Sequence, residues 1–114
     1  MSAGIASIYI EQGAVFSQEY AYRLIDGTTP IDITGGYIAM QMRVSYATES
    51  VAFEATTVNG KIVITDAVNG VFRLSMTPLE TSALAGSGVY DIEYSSGGDI
   101  TTTVRLVQGT YTVS

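Results

Sequence analysis

Between residues 37 and 45, large aliphatic side chains recur at every second position. Ile38, Met40, Met42 and Val44 take one parity, and Gln41, Arg43 and Ser45 the other. Successive side chains of an extended strand point to opposite faces, so a chain patterned this way buries one face by forming a strand, not a helix. The pattern recurs. Residues 15 to 26 set Phe16, Tyr20, Tyr22 and Leu24 against Ser17, Glu19 and Arg23. Residues 71 to 77 set Phe72, Leu74 and Met76 against Arg73 and Ser75, and residues 89 to 94 set Tyr90, Ile92 and Tyr94 against Asp91 and Glu93. Weaker runs cover residues 5 to 10, 51 to 58, 61 to 65 and from Ile100 onward. In the last run the apolar parity changes between Leu106 and Tyr111, which predicts a bulge at Gly109.

Asp26-Gly27, Gly35-Gly36, Asn59-Gly60, Asn69-Gly70 and Gly97-Gly98 punctuate these runs, and Asn59-Gly60 has the form of a two-residue hairpin turn. Thr77, Pro78 and Glu80 read as an N-cap, a first-turn proline and the acid of a capping box, with Gly86 placed to end the helix. The expected fold is all-β: an antiparallel β-sandwich, Ig-like or jelly-roll-like, of about seven or eight strands with one short helix near residues 78–85. With 114 residues, it is expected to form a single domain over residues 1–114.

Composition narrows the chemistry. Five Lys and Arg against eleven Asp and Glu give a net charge of −6, which disfavours binding to nucleic acid phosphates. The chain has no His and no Cys, which removes the commonest general base, the thiolate nucleophile and the soft metal ligands. No apolar run is long enough for a signal peptide or a transmembrane helix, so a chain free of membranes is expected.

The remaining candidate sites have plainer structural explanations. Asp91 and Glu93 resemble a glycosidase pair, but their spacing is that of one solvated sheet face. Asp66, Asn69 and Asp99 lie in turns and match no calcium loop. Ser87 has no histidine to activate it. No catalytic residue, metal, cofactor or small-molecule ligand is expected. Several apolar residues carry the parity opposite to the core, and with only 14% charged residues some of them are expected to meet a partner. Ile5, Ile8, Tyr9, Val63, Val89 and Val107 are the candidate interface residues. The segment before Gly13 is expected to pair with an adjacent subunit as an edge strand.

The order of residues carries a resemblance. Residues 10 to 16 read IEQGAVF, residues 24 to 27 LIDG, residues 30 to 35 PIDITG and residues 40 to 43 MQMR. Later come ALAG at residues 83 to 86, VYDIE at 89 to 93 and VRLVQG at 104 to 109. This resembles a family of small virion proteins of tailed bacteriophages and prophages with an "IEQGATF", "DLTGY", "QIR" pattern. It is also similar to the amino-terminal β domain of phage baseplate upper proteins. Gly36 is an insertion relative to that pattern, and Ala85 stands where the family often has Pro. The resemblance implies a non-enzymatic structural protein of a virion, made in the host cytoplasm. Its place would be in head decoration or on the tail or baseplate, with other virion proteins and itself as partners. The alternative is a carbohydrate-binding β module that recognises a host glycan through Tyr9, Tyr37, Tyr46 and Tyr111.

Overall fold

The computed structural model describes residues 4–5, 7–23, 28–45, 47, 51–84, 86–96 and 103–114. Among these residues nine strands and one helix follow in the order β1 (Gly4–Ile5), β2 (Ile8–Ile10), β3 (Phe16–Ala21), β4 (Tyr37–Arg43), β5 (Phe53–Thr56), β6 (Ile62–Asp66), β7 (Val71–Met76), α1 (Pro78–Ala83), β8 (Ser87–Ser95) and β9 (Val104–Val113). One sheet runs β1-β9-β8-β4-β5, with β2 also on β9, and the other runs β3-β7-β6. Among the described residues this division, with β9, β8 and β4 in one sheet and β3, β7 and β6 in the other, is that of an Ig-like sandwich. The expected turns at Asp26-Gly27 and Gly97-Gly98, along with Leu24, Tyr46, Ala85 and Asp99, lie outside the described residues.

Parity places the core as the alternation requires. Ile38, Met40 and Met42 from β4, Tyr90 and Ile92 from β8, and Phe72, Leu74 and Met76 from β7 are all buried between the sheets. Full burial of each such side chain contributes about 1.5–3 kcal/mol. Tyr20 stacks on Phe72 with ring centroids 5.3 Å apart. Val44 departs from the pattern: β4 ends at Arg43, and Val44 is 70% exposed.

Helix α1 forms as its sequence dictates. The Thr77 hydroxyl accepts from the Glu80 N–H at 3.2 Å, and the Glu80 carboxylate accepts from the Thr77 N–H at 2.8 Å. Leu84 is the C-cap. The helix also anchors the start of the chain. Buried Thr81 accepts from the Gly13 N–H at 3.0 Å and donates to the Ala14 carbonyl at 2.8 Å. Gln12 Nε2 donates to the Leu84 carbonyl at 2.7 Å.

Three expectations are corrected. Asn59-Gly60 does not close a hairpin, because β5 pairs with β4 in the larger sheet and β6 with β7 in the smaller. The turn carries the chain from one sheet to the other. Asn59 Oδ1 accepts from the N–H groups of Thr56 and Lys61, at 2.9 and 3.0 Å, and so satisfies backbone that would otherwise pair in a hairpin.

The bulge in β9 falls at Leu106 instead of Gly109. Ile92 pairs with Val107 and Glu93 with Arg105, leaving Leu106 as the extra residue. From there on, odd-numbered residues share the inner face with Tyr90 and Ile92, so Tyr111 enters the core.

The segment before Gly13 pairs in parallel with β9 of its own chain, Gly4 opposite Val107 and Ile8 opposite Tyr111. Gln12 N–H donates to the Ser114 carbonyl at 2.9 Å, and Ser114 N–H to that of Ile10 at 3.0 Å. Ile8 and Ile10 fill the core, and that burial draws the segment into its own sheet.

Candidate functional site

The central strands β4, β8 and β9 turn a polar face outward on the larger sheet. Their register sets Arg43 beside Val89 and Thr110, and Gln41 beside Asp91 and Gln108. The side chains link across the strands. Gln41 Nε2 donates to Glu54 on β5 at 2.8 Å, and the Arg43 guanidinium donates to the Gln41 side-chain oxygen Oε1. Arg105 forms an ion pair with Asp91 at 3.3 Å and donates to Gln108 at 3.1 Å. Between these links lies a shallow groove lined by Gln41, Arg43, Val89, Tyr90, Asp91 and Arg105. Arg43 Nε is buried there with no hydrogen-bond partner among the described residues. Two guanidinium groups and one carboxylate beside Val89 make a surface suited to carbonyl and carboxylate groups.

The six candidate interface residues do not form one patch. Tyr9, 76% exposed, sits opposite Thr112 and in one row with Ser87, on the same outward face as Val89. Val63 is exposed on β6, on the far side of the sandwich. Ile8 is a core residue and Val107 is half-buried against the core, and their inward direction follows from the β9 bulge and the parallel pairing. Ile5 is placed by register alone, opposite Gln108.

Asp91 and Glu93 do share the outer face, with Asp91 held by Arg105. Asp66 and Asn69 bond one another, Asn69 Nδ2 donating to Asp66 at 2.8 Å, as turn-forming residues do. Of the tyrosines proposed for a glycan, Tyr9 is exposed, Tyr37 half-buried and Tyr111 buried in the core, so they do not come together. The groove around Arg43, Asp91 and Arg105 was not singled out by sequence. Its only signal was that all three carry the polar parity of their strands.

A second hollow, beside the start of α1, is lined in part by Val15, Lys61, Pro78 and Glu80. Lys61 and Glu80 form an ion pair there. Desolvation works to raise the Glu80 pKa, but the Lys61 ammonium and the Thr77 N–H outweigh it and hold the carboxyl below its usual range. Inside the sandwich, burial and then the neighbouring Tyr90 phenol push the Tyr20 hydroxyl well above the ordinary tyrosine value. No helix among the described residues is long and apolar enough to cross a membrane.

No known protein family matches the chain, and no curated protein matches it. Solved structures do. The N-terminal domain of phage TP901-1 ORF48 aligns with a TM-score of 0.55 at 14% identity, covering 100% of this chain and 99% of that one. The second Ig domain of the mouse polymeric immunoglobulin receptor aligns with a TM-score of 0.54 at 10% identity, covering 96% of each. At these identities the likeness is one of fold: an Ig-like β-sandwich over nearly the whole length.

Proposed function

We propose that this chain is a non-enzymatic structural module of a bacteriophage virion, a single unit over residues 1–114 in head decoration or attached to the tail or baseplate. It acts through contacts with other virion proteins and with copies of itself. The observation that carries this reading is the end-to-end fold likeness to the N-terminal domain of phage TP901-1 ORF48, alongside the sequence resemblance to small phage virion proteins. The outward groove of Arg43, Val89, Asp91 and Arg105 supports it, since polar donors around an apolar residue are what a protein contact uses. Quantitative mass spectrometry of washed particles tests the reading. The chain is expected at a fixed copy number per particle, high for decoration and low for tail attachment, and its absence from the particles overturns the reading.

A further inference from the structure

Among the described residues the sandwich has four sheet edges, and three of them are blunted. The β1–β2 edge is broken into pieces of two and three residues, β5 has four residues, and β6 loses register between Ile64 and Asp66. Short strands and bulges are ordinary protections against strand addition. The fourth edge, β3, has none: six residues pair with β7 in unbroken register, from Phe16 opposite Met76 to Ala21 opposite Val71. Tyr22 N–H donates to Gly70 at 2.8 Å, and on the far side of β7 Ser75 N–H donates to Lys61 at 2.9 Å. By the alternation of an antiparallel ladder, the even-numbered residues of β3 turn their backbone groups to β7. Ser17, Glu19 and Ala21 turn theirs outward. Among the described residues, what reaches this outward row is the Gln18 side chain, donating to the Glu19 carbonyl at 3.3 Å.

We propose that β3 is a self-association edge, which takes β3 of a second copy in antiparallel register centred on Gln18. Only registers that keep inner faces together extend the sandwich, and two of these pair five of the six residues. The one centred on Glu19 puts that carboxylate directly against its own copy, which is destabilising. The one centred on Gln18 sets Glu19 against the second copy's Ser17, with both residues exchanging backbone hydrogen bonds, and sets Tyr20 against the second copy's Phe16. The inner-face row in which Tyr20 stacks on Phe72 then continues through a third aromatic ring. The two Glu19 carboxylates then stand diagonally instead of directly opposite, and each already pairs with the Arg73 of its own copy at 3.5 Å on the outer face. Glu19 thereby selects the register.

The proposal rests on the protein-contact reading above. Its test uses the isolated chain, so its failure leaves presence in virions standing, and absence from virions leaves the dimer standing. The chain has no cysteine, so a single one reports cleanly. Opposed residues in a non-hydrogen-bonded pair have Cα atoms about 4.5 Å apart, within disulfide range. Gln18→Cys is expected to cross-link to a dimer on mild oxidation faster than Glu19→Cys. In sedimentation equilibrium at concentrations up to about 1 mM, Ser17→Glu is expected to weaken the dimer roughly three- to tenfold and Ser17→Lys to strengthen it. All these sites are exposed, and circular dichroism checks that each variant folds. A chain that stays monomeric, faster cross-linking of Glu19→Cys, or a dimer indifferent to Ser17 overturns the proposal.

Discussion

The Tyr111 ring lies directly on the backbone of Gly88: a Cβ at residue 88 would stand 2.7 Å from the Tyr111 hydroxyl oxygen and 2.3 Å from the Arg43 carbonyl oxygen. The two residues face each other across β8 and β9. Gly88→Ala is therefore expected to destabilise the fold by about 1–3 kcal/mol through overpacking. Urea unfolding measures it. An unchanged midpoint would mean that the ring and strand β4 give way freely.

The clamp between helix α1 and the start of the chain makes a second expectation. Thr81→Val removes both the acceptor for the Gly13 N–H and the donor for the Ala14 carbonyl while preserving shape. Leaving these groups unpaired is expected to cost roughly 1–3 kcal/mol, against about 1 kcal/mol for removing the cap by Thr77→Ala. Equilibrium unfolding of the two variants side by side tests the order.

Because β2 belongs to its own sheet, adjacent residues in it should behave oppositely. Ile10→Ala is expected to cost about 2–5 kcal/mol as a core truncation, and Tyr9→Ser less than about 0.5 kcal/mol. Deleting residues 2 to 8 removes β1 and Ile8 from the fold and is expected to lower the thermal midpoint. A deletion variant that melts like the full chain would restore the idea of a detachable segment.

Glu80 and Tyr20 each contribute to the pH dependence, at opposite ends of the scale. The Glu80 carboxyl is held below its ordinary value of 4.5, so the stability it contributes is present above that pH and is lost as the pH falls through its lower folded value. Glu80→Gln should unfold more easily than the parent at neutral pH and converge with it in acid. Tyr20 titrates above its ordinary value of 10.0, so stability is present below pH 10.0 and is lost as the pH rises beyond it, since the unfolded chain ionises first. Tyr20→Phe should flatten the alkaline arm of a stability profile followed by circular dichroism.

Alternation told which side of β4, β7 and β8 faces inward, because each buries one parity whatever strand lies beside it. It also gave the helix, since the capping box of Thr77 and Glu80 is local. It failed where the answer depends on the neighbouring strand. Nothing around Asn59 says that the next strand joins another sheet. The frame of β9 slips at Leu106, where no glycine marks the bulge, which hid the inward turn of Val107. Ile8 and the pairing of the segment before Gly13 were misjudged because the partner strand lies about a hundred residues away in the chain. The groove of Arg43, Asp91 and Arg105 was illegible for the same reason: parity sends each outward, but only register makes them neighbours.

The parallel pairing of β2 with β9 also constrains the order in which the fold can be completed. Ile8 meets Tyr111, and Gln12 meets Ser114, so the first core isoleucines stay uncovered until the last strand has been made and has found its place on β8. Closing so long a loop carries the largest entropic cost of any pairing in the molecule, which places it late and makes it slow. On the ribosome Ile8 and Ile10 therefore wait for about a hundred further residues before β9 can cover them, and docking of β2 is the step that seals the sandwich.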